Sequence, residues 1–190
     1  MNLTRKGEYA LRSLIKLGIA HEMGKTHLSV SELAQSEKLP LKFLEQVLFH
    51  LRGAGYIETK RGKFGGYFLA LPMNEIRIGD IVRLIDGKLA PIACASLTAY
   101  EKCSCPDETH CGLRMLMIDV RNAIANILDR YSLADVVEVT MRKLRRDGVA
   151  LPFEPGDGTA PAVELPEDFN PVDPRDGLMA ELASKHGGKP

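Results

Sequence analysis

The 190-residue sequence contains no tryptophan, only 6% aromatic residues and just four cysteines. No apolar run approaches the roughly 18 residues needed to cross a bilayer. The opening stretch, Met1-Asn2-Leu3-Thr4-Arg5-Lys6, lacks a signal-peptide apolar core. These absences argue against membrane insertion and secretion and lead us to expect a cytoplasmic protein. Enzyme signatures are missing too: there is no Ser-His-Asp set and no paired-carboxylate site. The glycines at 62, 65 and 66 are not followed by Lys-Ser/Thr running onto a helix, so nucleotide binding is not expected. Cys-x2-Cys pairs are also lacking, which argues against a structural zinc knuckle and against a thioredoxin-type dithiol.

Net charge is absent as well, since 25 Lys and Arg balance 25 Asp and Glu. The balance conceals an uneven distribution. Residues 1–70 carry eleven basic and six acidic side chains, residues 71–146 eleven and ten, and residues 147–190 three and nine. The front of the chain is therefore basic and suited to a polyanion, while the tail is acidic.

What is present is largely helical. Leu11, Leu14, Ile15 and Leu17 recur at helical spacing after Thr4, a suitable N-cap, and predict a core-facing helix over 4–23. Ser29-Val30-Ser31-Glu32 has the form of a capping box and opens a short helix that Lys38-Leu39-Pro40 ends. A third helix follows over 41–54, with Leu41, Leu44, Val47, Leu48 and Leu51 on one stripe and Lys42, Glu45, Gln46, Phe49, His50 and Arg52 largely off it. A short helix, a tight turn and a second helix with a polar outer face read as a helix-turn-helix. Residues 56–60 and 67–70 then form strand candidates around the turn Arg61-Gly62-Lys63-Phe64-Gly65-Gly66, a hairpin with a basic tip that suits a DNA-binding wing. The expected fold is mainly α with a small β-hairpin: a winged helix-turn-helix followed by a long dimerisation helix.

Four segments are expected. Residues 1–72 form the DNA-binding domain, and 73–111 a short helix near 78–85 with a loop bearing all the cysteines. Residues 112–147 form a long helix and a final helix capped by Ser132. The stripe Leu113, Leu116, Met117, Val120, Ile124, Ile127, Leu128 and Tyr131 belongs to a helix about 28 Å long, more than one small domain needs to cover itself. A partner copy is the expected recipient, since helix-turn-helix proteins read two half-sites as two-fold dimers. Residues 148–190 hold seven of the eleven prolines and many acids and read as disordered, with a transient helical turn near Leu178.

Cys94, Cys103, Cys105 and Cys111 are separated by eight, one and five residues. Thiolates spread this widely on a loop suit an iron-sulfur cluster better than a compact metal knuckle.

Several stretches in order carry a family resemblance. They are residues 3–12, Leu44-Glu45-Gln46 with Leu51-Arg52, Arg61-Gly62-Lys63-Phe64-Gly65-Gly66-Tyr67, Cys105-x5-Cys111 before a Leu-rich helix, and residues 131–137. Over about residues 1–140 the chain resembles the IscR-like winged-helix regulators, the Rrf-two family, bacterial transcription factors that often sense through an iron-sulfur cluster. The resemblance implies that Cys105 and Cys111 fill the last two ligand positions and Cys94 the first, around a 2Fe-2S cluster by preference or a 4Fe-4S cluster. For the fourth ligand we expect Cys103 first, then Glu8 from the partner subunit, then His110; family members with a histidine three residues past the last cysteine differ from this chain, which has Arg114 there.

The expected function is a homodimeric DNA-binding transcriptional regulator, not an enzyme, that senses iron, redox state or nitric oxide. Lys42, Phe43, Glu45 and Gln46 would face the major groove of a double-stranded operator, and Lys60, Arg61 and Lys63 would supply the wing contacts. The alternative within regulation is cluster-free, the thiols of Cys103 or Cys94 sensing oxidants or persulfides through a reversible bridge. An electron-transfer or metalloenzyme role has only the cysteines in its favour.

Overall fold

A computed structural model describes residues 3–62, 65–153, 177, 178, 181 and 182. Among the described residues, six α-helices and one antiparallel hairpin follow in the order α1 (Arg5–Glu22), α2 (Val30–Glu37), α3 (Leu41–Gly53), β1 (Ile57–Lys60), β2 (Gly66–Leu69), α4 (Ile78–Asp86), α5 (Gly112–Arg130) and α6 (Leu133–Arg146). This is the expected mainly helical fold with a small hairpin wing. No helix among the described residues is long and apolar enough to cross a membrane.

The helix starts follow from local chemistry. Thr4 Oγ1 accepts a hydrogen bond from the Gly7 N–H at 3.1 Å and opens α1. At α2 the Ser29 hydroxyl accepts from the Glu32 N–H at 3.2 Å while the Glu32 carboxylate accepts from the Ser29 N–H at 2.8 Å, a complete capping box. Ser132 and Asp135 repeat the device at α6. Lys38, in the left-handed conformation at φ 53°, ends α2, and Pro40 starts the turn into α3.

Helix α1 is the centre of the fold, packed against α2, α3, α4, α6 and β2. Its Leu14 and Leu17 share a core with Leu33, Leu44, Val47, Leu48, Leu51, Ile57, Ile81, Leu133 and Val137. Burial of such side chains stabilises by about 1.5–3 kcal/mol each. A second, smaller cluster of Ile78, Val82, Leu89 and Tyr131 joins α4 to the end of α5, with Leu178 and Leu182 packed against it. Lys16, almost wholly buried, and Arg12 both pair with Glu37 at 3.1 Å and tie α2 to α1. Leu41 departs from the expected stripe: at the first turn of α3 it projects past the core and is 43% exposed.

In the hairpin, Ile57 faces Leu69 and Lys60 faces Gly66. Leu28 adds a bridge to Tyr67, with reciprocal N–H to carbonyl bonds of 3.0 and 2.7 Å. Gly66 is required there, because a Cβ would sit 2.4 Å from the Leu28 carbonyl oxygen. The wing is thus anchored to the loop that precedes α2. Lys63 and Phe64 lie outside the described residues, as do 154–176, 179, 180 and 183–190 of the acidic tail. Past α6, Leu151 and Phe153 pack back on the core, with the Phe153 ring 4.9 Å from Lys25 Nζ.

Burial raises the Glu32 carboxyl, but hydrogen bonds from Lys25 and Ser29 outweigh it and hold the group at about 2. Because this lies below the unfolded value of about 4.3, the stabilisation is complete above that pH and is lost as pH falls towards 2. Glu32→Gln is therefore expected to lower stability by about 1 kcal/mol or less at pH 7, the pair being half exposed. Urea unfolding of both proteins should show that difference vanishing as pH approaches 2.

Candidate metal centre and nucleic-acid surface

Between α4 and α5 the chain has little regular structure apart from a single 3-10 turn at Ala93–Ala95. Cys94 sits in that turn and is buried; Cys103 and Cys111 are half-buried, and Cys105 is exposed. An extended strand would send Cys103 and Cys105 to opposite sides. The loop bends instead, and the sulfurs form a connected series in which Cys94 contacts Cys103, Cys103 contacts Cys105, and Cys105 contacts Cys111. All four expected thiols are brought together.

A carboxylate that sequence reasoning did not single out joins them. The sulfurs of Cys94 and Cys103 and a carboxylate oxygen of Glu108 all lie within 4.8 Å of one another. Glu108 accepts from the Tyr100 hydroxyl at 3.0 Å and is ion-paired with Arg114, whose Nε lies 3.3 Å away. Arg114 Nε also donates to the Cys94 carbonyl at 3.0 Å, and Arg121 donates to the Ala95 carbonyl at 2.6 Å. A lone glutamate in a polar loop has no diagnostic spacing, so only the folded loop reveals it.

The electrostatics suit a cation. Hydrogen bonding to Cys103, the mutual repulsion of thiolates and the nearby Cys111 push the Cys105 thiol up to about 11. Burial, followed by the proximity of Cys103 and Glu108, raises that of Cys94. Without metal the Cys94 and Cys105 thiols are held towards the protonated form, and a bound cation reverses this by stabilising thiolates. Four thiols in a connected series supply the soft donors that iron-sulfur ligation uses.

The other two ligand candidates are engaged elsewhere. Glu8, on α1, pairs with Arg12 at 3.0 Å. His110 is largely exposed, with Nδ1 2.7 Å from the Asp107 carboxylate.

On α3, Lys42, Glu45 and Gln46 are exposed and line an open groove together with Phe49 and His50. Phe43 turns inward instead: its ring meets that of Tyr9 edge-on at 5.4 Å. Phe49, missed as a candidate, is 63% exposed, and the Arg52 guanidinium lies 5.8 Å from its ring. His50 bridges Gln46 and Lys6, with Nδ1 2.6 Å from the Gln46 carbonyl and Nε2 3.2 Å from Lys6 Nζ. Lys60 and Arg61 are exposed at the end of β1, and Lys63 lies outside the described residues.

Comparison with known proteins adds a family. A family model named Rrf2, described as an iron-dependent transcriptional regulator, matches residues 3–139. The chain is 35% identical over 137 residues to a putative Rrf2-like HTH-type transcriptional regulator of Rhodobacter capsulatus, covering 71% of this chain and 91% of the relative. It is 34% identical over 149 residues to the HTH-type transcriptional regulator NsrR of Geobacillus kaustophilus, covering 77% and 98%. Among solved structures, CymR, the global cysteine regulator of B. subtilis, has a TM-score of 0.61 at 31% identity, covering 73% of this chain and 97% of that one. IscR of T. potens has a TM-score of 0.59 at 25% identity, covering 75% and 90%.

The raised Cys105 thiol generates a chemical prediction. Moving from 9.0 to about 11 cuts the thiolate fraction roughly a hundredfold at pH 8, partly offset by higher intrinsic nucleophilicity. In the metal-free, reduced protein Cys105 should alkylate with iodoacetamide about tenfold more slowly than an ordinary exposed thiol. The double variant Cys103→Ser, Cys111→Ser should recover the ordinary rate, as read by peptide mass spectrometry.

Proposed function

The chain belongs to the Rrf2 family of transcriptional regulators, and we propose that this regulator binds operator DNA as a homodimer whose affinity is set by an iron-sulfur cluster held in the loop before α5. The observation that carries the reading is the convergence of four thiols that are spread over eighteen residues of sequence. Cys94, Cys105 and Cys111 would hold the cluster, with Cys103, in contact with two of them, as the first candidate for the fourth position, ahead of Glu8 of the partner subunit and His110. When bound, such a group, 2Fe-2S by preference, supplies one-electron chemistry and sensitivity to iron supply, redox state or nitric oxide. The chain's own part is to hold the sulfurs: Arg114 and Arg121 fix the 93–95 turn by its carbonyl oxygens, and the loop then feeds directly into α5.

Helix α5 supports the dimer. It has no buried residue, and Leu113, Leu116 and Ile127 are about half exposed or more. An apolar stripe of this kind is suited to a second copy of itself. For DNA, Gln46 can bond adenine bidentately and Glu45 can accept from cytosine N4-H, while Lys42 and the wing residues Lys60, Arg61 and Lys63 supply phosphate or groove contacts. Phe43, packed on Tyr9, would serve by bracing α3 against α1.

A second reading uses the thiols alone. The contact of Cys103 with Cys94 and Cys105 suits a reversible bridge that senses oxidants or persulfides. The solved oxidized form of Staphylococcus aureus CymR, at a TM-score of 0.59 and 31% identity, favours considering it.

Purification under nitrogen separates the two. The cluster reading expects a brown protein with iron and acid-labile sulfide in equal amounts, both lost in Cys105→Ala and Cys111→Ala together with the DNA response. A colourless, metal-free protein whose DNA binding follows its thiol state would establish the second reading instead.

For the surface on α3 and the wing, Gln46→Ala is expected to weaken operator binding by about 1–3 kcal/mol and to relax preference at one base pair. Arg61→Ala should weaken all sequences alike and reduce the slope of log affinity against log salt by about 1. Fluorescence anisotropy titrations over a range of salt concentrations distinguish the two behaviours.

A further inference from the structure

We propose that Glu108 is an oxygen ligand of this centre, supplied by the same chain and sharing a metal corner with Cys94. The assignment rests on the cluster reading above and deepens it by naming the donor that completes three thiolates.

Three observations carry it. First, the geometry is convergent, because Cys94 Sγ, Cys103 Sγ and a Glu108 oxygen lie within 4.8 Å of one another. Second, the carboxylate is aimed. Tyr100 and Arg114 hold it, and Arg114 Nε also bonds the Cys94 carbonyl, so one guanidinium fixes both proposed donors. Metal-ligating side chains characteristically have such outer partners. Third, the Glu108 side chain is only 16% exposed, so its charge is directed into the loop rather than to solvent.

The competing donors fit less well. Glu8 lies on α1 and His110 is largely exposed, and among the described residues neither joins a group of donor atoms within 4.8 Å of one another as Glu108 does. Cys103, whose sulfur belongs to the same group, is the competing donor, since four thiolates are the usual iron-sulfur ligand set. Glu108 brings its compensating cation, Arg114, with it. On this assignment Cys94 and Glu108 hold one end, Cys105 and Cys111 the other, and Cys103 is a thiol in reserve. A carboxylate is a harder donor than a thiolate, so an iron that it holds would differ electronically from one held by sulfur alone.

The test is anaerobic reconstitution with iron-57 and sulfide of the full-length wild type, Glu108→Gln, Glu108→Cys and Cys103→Ser, read by Mössbauer spectroscopy and iron counts. In the wild type, one iron site should differ in isomer shift from the sulfur-ligated remainder, a measurement that needs no variant. Glu108→Gln should lower metal affinity about tenfold or more, Glu108→Cys should bind fully with the sites made alike, and Cys103→Ser should match the wild type. An intact wild-type cluster with all iron sites alike, or unequal sites that persist in Glu108→Cys, overturns the assignment while leaving the cluster reading in place. A loaded Glu108→Gln with a wild-type spectrum, beside a Cys103→Ser that loses the distinctive site, hands the position to Cys103. A wild type that takes up neither iron nor sulfide overturns the cluster reading, and this inference with it.

Discussion

Two arginines about two turns apart on α5 hold the sulfur-bearing loop by its backbone, Arg114 on the Cys94 carbonyl and Arg121 on the Ala95 carbonyl. A loop between α4 and α5 with so little regular structure has few internal hydrogen bonds of its own, and buried carbonyls in it must find donors elsewhere. The guanidinium groups supply them. They also fix the position of the most buried thiol, and the other three sulfurs are then placed in series from Cys94 outward. Without that grip the cysteines would be four separate thiols on a solvated segment.

The same loop is physically continuous with the helices that present the polar face of α3. Helix α4 ends at Asp86, whose carboxylate accepts from the Thr4 N–H at 2.9 Å and from the Thr4 hydroxyl at 2.5 Å, at the start of α1. Gly7 lies against that carboxylate, with no room for a Cβ. Helix α1 in turn grips α2 through Arg12, Lys16 and Glu37, and Phe43 of α3 rests on Tyr9 of α1. The route from the loop to α3 therefore runs through a few specific polar contacts and one aromatic pair, each at a junction between elements. Contiguity of this kind gives the loop a packed path to α3, which carries coupling only where one of these junctions has two arrangements.

Much of this was legible in the sequence because it depends on local chemistry. The Ser29–Glu32 capping box, the Thr4 cap, the stop at Lys38-Leu39-Pro40 and the two strands of the hairpin are each set within a few residues, and each is present. The cysteines were legible as a group because the residue type is scarce. What was hidden depends on contacts distant in sequence. Phe43 reads as an outward residue until Tyr9 is found beside it, and Leu41 reads as core until the first turn of α3 is seen to overhang. Leu28 gives no sign of bridging Tyr67. Glu108 was the costliest omission, since one acid among Asp107, Glu108 and Thr109 has no period or spacing to mark it, and only Arg114 and Tyr100 set it apart.

The thiol loop and the exposed stripe of α5 meet at a single residue. Cys111 is the N-cap of α5 and offers no side-chain cap hydrogen bond, so the first N–H groups of the longest helix begin beside a sulfur. Leu113 and Leu116, in the first turns of α5, start the apolar face that is exposed in the single chain. The segment that carries the sulfurs and the helix that carries the exposed stripe therefore share one junction, and the backbone at Cys111 belongs to both.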